Sequence, residues 1–287
     1  MQPDIKGFAK SLSIDAYGAF HEAMVKYVLS VLLKPLYRRG NTASWFELFR
    51  NILRTEHFLL IVLDGARYDV FRRVYPRYLR GMLRKALAPP PHTYGWLPKA
   101  FSLPEFDNVR VFYASLDIAT HNIKIKGFIP RGKNAEVYAV KPGKLRDVGT
   151  VLPSEVNTAV KRVGLSGRDI VWYVQPHFPW ICDPELSLKL MREVLIHDFV
   201  PPDTVRRALK RQGIDRGRVW RAYYCNMLIA LMGVKELLNY VRKVGLKYDK
   251  VVVTSDHGEM LGEYGLYLHQ EYNLPQLTIV PWLEAEL

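Results

Sequence analysis

Short, continuous apolar runs separated by helical patterns most narrow what this chain can fold into. Phe58–Leu63 reads FLLIVL, Val109–Tyr113 reads VRVFY, Ile170–Val174 reads IVWYV, and Lys250–Val253 reads KVVV. A last run, Leu277–Val280, stops at Pro281. A strand covered on one face alternates apolar and polar residues, whereas one covered on both faces is apolar throughout. The runs therefore predict fully buried strands of a parallel sheet. Between them lie amphipathic patterns, the longest from Arg218 to Val244, with Tyr223, Met227, Leu231, Val234, Leu238 and Val241 on one stripe beside Trp220. This alternation predicts an α/β fold, a three-layer α/β/α sandwich with a mostly parallel central sheet.

Two regions are expected. Residues 1–55 predict a helical extension packed on the core, with Phe20, Met24, Tyr27, Val28, Val31 and Leu32 at helical spacing before Pro35. A second helix there carries Trp45, Leu48, Phe49 and Ile52 on one face. Residues 56–287 hold the sheet as one compact domain, and the Pro-rich patch Ala88–Pro91 is a loop within it. The 287 residues, 49% hydrophobic and 24% charged, exclude a disordered or collagen-like chain.

The 41 Lys and Arg against 28 Asp and Glu leave a net charge of +13, which suits a phosphate ester, a nucleic acid or a membrane surface as partner. The cluster Arg206, Arg207, Lys210, Arg211, Arg216, Arg218 and Arg221 reads as a solvated helical face, without a nucleic-acid motif beside it. Cys182 and Cys225 lack the spacing of a zinc ribbon or disulfide framework, so they read as buried thiols in a reducing, cytoplasmic setting. Met1–Lys10 is polar and the run Val28–Leu33 is far too short to span a bilayer. A soluble chain is expected, with peripheral membrane contact still open to it.

The chemistry sits after the strands. FLLIVL ends in Asp64, IVWYV leads to Pro176-His177, and KVVV leads to Asp256-His257. Ligands of open α/β sheets bind beyond the carboxyl ends of their strands. Each residue alone reads as a cap, a structural histidine or a turn. Together, two carboxylates and imidazoles on one rim are the donor set of a divalent metal site. No phosphate-binding Gly loop, GxSxG elbow, HExxH or Asp-x-Asp phosphatase motif competes with this reading.

These segments resemble a known family. VVVTSDHGEMLGEYGLYLH, Val251–His269, is similar to the C-terminal metal motif of the sulfatase-like branch of the alkaline phosphatase superfamily. LDGARYD, Leu63–Asp69, resembles the metal-aspartate strand of its archaeal members, and HFPW, His177–Trp180, the segment that supplies a substrate-side histidine. VPWLE, near the end, resembles the close of such domains, so the likeness spans roughly residues 57–284.

The resemblance implies an alkaline phosphatase-like fold and one divalent ion, Zn or Mn and less well Ca, held by Asp64, Asp256, His257 and a nucleophile. In ALAPPPHTYGWLPKAF the alcohol that fits the nucleophile is Thr93, expected in a loop ahead of a helix. The implied activity is hydrolysis or transfer of small or polymeric phosphoric esters through a covalent threonine intermediate. His177 and His269 would handle substrate oxygens or the leaving group, and Arg67 and Lys99 would clamp the anion. No CxPxR or SxPxR lies between Asp64 and Phe101, which disfavours a formylglycine sulfatase. No Asp-x-x-x-His follows His177, which disfavours a second metal of the two-metal phosphatase kind. The alternatives are a catalytically silent member binding an anionic polymer, nucleic acid being disfavoured, or a sulfatase without formylglycine.

Overall fold

A computed structural model describes residues 42–88, 90, 92–114, 130, 132–143, 148–194, 202–269 and 273–287. The helix expected from Phe20 to Leu32 lies outside the described residues. The second helix of that region, α1 (Trp45–Leu53), starts where the Ser44 hydroxyl accepts a hydrogen bond from the Glu47 amide. It buries Trp45, Phe49, Ile52 and Leu53 on one stripe, while Leu48 is only half-buried.

The strands are β1 (Ala43–Ser44), β2 (Phe58–Leu63), β3 (Gly81–Leu87), β4 (Arg110–Tyr113), β5 (Glu136–Ala139), β6 (Arg168–Tyr173), β7 (Lys250–Thr254), β8 (Met260–Leu261), β9 (Tyr267–Leu268) and β10 (Ile279–Ala285). Eight form one sheet in the order β1-β3-β10-β7-β2-β6-β4-β5, and β8 and β9 pair separately. Every neighbour in the large sheet is parallel except β10, which runs antiparallel to both β3 and β7.

The helices after α1 are α2 (Tyr68–Val74), α3 (Thr93–Phe101), α4 (Pro153–Val163), α5 (Pro184–Val194), α6 (Pro202–Arg211), α7 (Arg216–Val244) and α8 (Pro275–Thr278). Alternate residues of β2 feed two cores. Leu59, Ile61 and Leu63 pack with α2, α4 and α7, whereas Phe58, Leu60 and Val62 pack with α1 and α3. The sheet is therefore covered on both faces, as its apolar runs require.

The last strand is not where the sequence suggested. Pro275 starts a single helical turn, α8, and the strand runs through Pro281 to Ala285. Pro281 has no amide hydrogen to give, and pairing with β7 begins only at Trp282. The half-exposed β3 and β5 have no continuous apolar run to announce them.

Parallel pairing aligns the carboxyl ends of the three central strands. Leu63 of β2 stands beside Tyr173 of β6, and Val62 beside Thr254 of β7. The loops after β2, β6 and β7 thus leave the sheet at one rim.

Cys182 and Cys225, 43 positions apart in the sequence, are joined as a disulfide with Cα atoms 6.1 Å apart. This corrects the expectation of free thiols. Spacing alone could not show a pair so far apart in sequence, which the fold brings together. Replacing both cysteines by serine is expected to lower stability by about 4 kcal/mol on the loop-closure model. The check is a urea midpoint, and an unchanged midpoint would refute it. Among the described residues, no helix is long and apolar enough to cross a membrane.

The basic cluster is partly built into the fold. Arg218 forks onto both oxygens of Asp183 at 2.7 and 2.8 Å and reaches Glu185, while Arg216 pairs with Glu263. Arg207, Lys210, Arg211 and Arg221 are exposed.

Candidate metal centre

At the rim, the loop after β2 carries Asp64 and the loop after β7 carries Asp256 and His257. The two loops are tied together by Ser255, whose hydroxyl donates to the Leu63 carbonyl and accepts from the Ala66 amide at 2.8 Å. Gly65, at φ +69°, turns the first loop so tightly that its amide reaches Asp256 Oδ1 at 3.3 Å. Gly258 turns the second, and its amide donates to the Leu277 carbonyl at 2.7 Å. A Cβ at position 258 would lie 1.9 Å from the Gln276 carbonyl oxygen, so only glycine fits the approach of these two backbones.

Thr93 arrives from the other side of the sheet as the first residue of α3, one step further into the helix than expected. His92 caps that helix by accepting from the Gly95 amide. Trp96, one turn on, packs against Trp45 and Trp172 with ring centres 4.4 and 5.2 Å away, which seats α3 on the sheet. The Trp172 indole in turn donates to Asp64 Oδ2 at 3.4 Å.

Thr93 Oγ1 donates to Asp256 Oδ2 at 2.8 Å and lies 3.1 Å from His257 Nε2. His257 Nε2 is 3.3 Å from Asp64 Oδ1 and 3.4 Å from Asp256 Oδ2. His257 Nδ1 faces the Gly258 carbonyl at 2.7 Å. Only a protonated Nδ1 can use that carbonyl, so Nε2 is the nitrogen turned toward the cluster. All four residues are buried.

Beside this cluster stands a second one of His177, Glu259 and His269. Glu259 lies in the same DHGE segment as His257, but a lone Glu carries no pattern that would single it out. His269 Nδ1 is 3.1 Å from Glu259 Oε1, and the His257 and His269 rings are 4.3 Å apart, centre to centre. The His177 and His269 ring centres are 4.8 Å apart. The His177 amide donates to the Asp64 carbonyl at 3.0 Å, which joins the β6 loop to the β2 loop.

The electrostatics are those of crowded, buried charges. Burial, with the Asp64 charge, pushes the Asp256 carboxyl up to about 6. Burial would raise Asp64 too, but His177, His257 and His269 hold it below the ordinary range. Burial disfavours a charged His257, yet Asp256, Asp64 and Glu259 outweigh it and carry the imidazole up to about 10. Burial raises Glu259 to about 7, and burial with His257 and His177 keeps His269 well below the ordinary histidine value.

A divalent cation fits this set. Asp64 Oδ1, which faces only the His257 ring, and Glu259 Oε2 are buried and complete no hydrogen bond, and the ligand atoms of Asp64, Asp256 and His257 lie within 4.8 Å of one another. A buried carboxylate oxygen without a hydrogen bond is costly unless a positive charge stands in for the missing donor.

Arg67 and Lys99 are not placed as open anion clamps. Arg67, 4% exposed, gives its guanidinium to both oxygens of Asp69, to Glu263 Oε1 at 2.7 Å and to the Glu259 carbonyl, and stacks over Trp220. Its donors are spent on fixing the rim. Lys99 is exposed in the last turn of α3, six positions and roughly 9 Å of helix rise beyond Thr93.

No family model matches the sequence, and no curated protein matches it. Solved structures do match by fold. The periplasmic domain of phosphoethanolamine transferase EptC from Campylobacter jejuni superposes with a TM-score of 0.50 at 17% identity, covering 80% of this chain and 79% of that one. The corresponding domain of EptC from Escherichia coli, in complex with Zn, gives 0.49 at 13%, covering 81% and 74%. The soluble domain of lipooligosaccharide phosphoethanolamine transferase A from Neisseria meningitidis gives 0.47 at 16%, covering 79% and 75%.

The cytoplasmic expectation is corrected by the cysteine pair, which is a disulfide, a bond that persists in oxidising compartments and is rare in the cytoplasm. The architecture is the expected α/β/α sandwich, shared with the periplasmic domain of the Campylobacter transferase.

Proposed function

We propose that this chain is a metal-dependent enzyme of phosphoric-ester transfer or hydrolysis, working outside the cytoplasm, with Thr93 as its nucleophile. The observation that carries the reading is the Thr93 hydroxyl, buried and donating to Asp256 at 2.8 Å inside a cluster of two carboxylates and an imidazole. Asp64, Asp256, His257 and Thr93 would hold one divalent ion, and a buried site of oxygens with one imidazole suits Zn or Mn. When bound, such an ion supplies positive charge to the ester oxygens and lowers the pKa of the Thr93 hydroxyl.

The chain's own groups account for the rest. Asp256 orients the Thr93 hydroxyl and accepts its proton as Oγ1 attacks phosphorus. The Oγ1–P bond forms as the bond from phosphorus to the leaving oxygen breaks. His177, whose Nδ1 is turned to the Phe178 carbonyl, presents Nε2 to protonate that oxygen. His269, anchored by Glu259, faces the non-bridging oxygens. Water or an acceptor alcohol then gives its proton to His177 as it attacks phosphorus, and the Oγ1–P bond breaks while Asp256 returns its proton to Oγ1.

The test is a metal-dependence assay with aryl phosphate mono- and diesters. Turnover is expected to vanish on chelation and return with Zn or Mn, and a phosphorylated peptide carrying Thr93 should be trapped at short times. A purified protein that binds no divalent ion tightly would overturn the proposal.

A further inference from the structure

Asn226 stands in the middle of α7, a position where asparagine is a poor helix former. It is fully buried, and its whole amide is spent on the loop that carries His177. Nδ2 faces the carbonyls of His177 and Pro179, each at 3.2 Å, and of Pro176 at 3.5 Å. Oδ1 accepts from the Ile181 amide at 2.8 Å. The next residue back, Cys225, is bonded to Cys182 at the far end of the same loop.

Tyr223, three residues earlier and so on the same helix face, does for the Asp64 loop what Asn226 does for this one. Its hydroxyl donates to the Gly65 carbonyl at 2.8 Å and accepts from the Arg67 amide at 2.9 Å. One helix turn therefore sets both loops, and with them the distance between the acid cluster and His177.

We propose that Asn226, braced by the Cys182–Cys225 bond beside it, is the positioning residue that fixes His177 against the Asp64–Asp256–His257 cluster. This rests on the reading of His177 as the group that protonates the leaving oxygen. Asparagine is required because a loop this buried turns three carbonyls and an amide toward one point, and only a side chain with both donors and an acceptor satisfies them. An aspartate there has the same shape but no donors, and would face the three carbonyls with oxygen.

The experiment compares Asn226→Asp with the parent on two phosphoric esters, one with a good aryl leaving group and one with a poor alkyl leaving group. A misplaced acid costs most where the leaving oxygen needs its proton. The expected loss is about 10- to 100-fold on the alkyl ester and only severalfold on the aryl ester, with bound metal unchanged. Adding Asn226→Asp to His177→Ala is expected to slow the alkyl ester no further than His177→Ala alone. Hydrogen exchange should rise in residues 175–182 and stay unchanged in 251–259.

Equal losses on both esters, additivity with His177→Ala, or a fall in bound metal would each overturn the proposal. If Asn226→Asp does not fold, the Cys182→Ser/Cys225→Ser pair takes its place and should show the same selective loss in smaller measure. An unchanged ester ratio there overturns the proposal equally. If the parent protein turns over no ester, the proposed function fails on its own. The exchange comparison then decides this inference, and an undisturbed 175–182 loop would sink it.

Discussion

Thr93→Ala is expected to reduce metal-dependent cleavage of an aryl phosphate by about a thousandfold or more, while the protein remains folded. The hydroxyl removed is the one that the N-terminus of α3 presents to Asp256 Oδ2 at 2.8 Å and His257 Nε2 at 3.1 Å. Little packing is lost, because α3 is held by Trp96, Leu97, Ala100 and Phe101 in the core beneath it. Thr93→Ser keeps the hydroxyl and should retain activity within about tenfold, since the reacting atom is unchanged. Melting curves for both variants should overlay the parent's within a few degrees. Residual turnover by Thr93→Ala near the parent rate would remove Thr93 from the chemistry and leave it a structural partner of Asp256.

Gly258→Ala is expected to be the most damaging single methyl group in the molecule's site. The new Cβ would lie 1.9 Å from the Gln276 carbonyl oxygen and 2.9 Å from its carbon, both of them backbone. No side-chain rotation relieves that clash, so either the His257 loop or the start of α8 must move. The movement would break the Gly258 to Leu277 hydrogen bond and carry the His257 imidazole away from Thr93. Overpacking of this kind costs roughly 3 kcal/mol, which in a protein of this size lowers the melting temperature by about 6–12 °C. Bound metal should fall in parallel. A variant that melts within about 1 °C of the parent and keeps its metal would show the two backbones to be free to separate.

Much of the fold was legible because burial on both faces writes itself as an unbroken apolar run. That holds for β2, β6 and β7, the three strands that aim the site, and for the stripe of α7. It fails where one face is open, as in β3, whose sequence GMLRKAL is mostly half-exposed. The strand-end residues Asp64, Asp256 and His257 could be placed because parallel strands deliver their loops to one rim whatever the side chains do.

Thr93 came only through family resemblance, since a threonine before a helix is otherwise a cap. The burial of Arg67 has no signature in the sequence, because its partners Asp69 and Glu263 lie 2 and 196 positions away and no local pattern separates a buried guanidinium from a solvated one. The disulfide and the Asn226 contacts were illegible for the same reason, being long-range consequences of the fold.

The sheet's two unequal faces have a consequence for any reaction at its rim. α3, which carries Thr93, belongs to the core on one face, whereas α7, which holds the His177 loop, belongs to the core on the other. In-line displacement needs the entering and departing oxygens on opposite sides of phosphorus. A sandwich provides that separation through its layering, so each side of the reaction can be remodelled by changing one layer while the strands between them stay fixed.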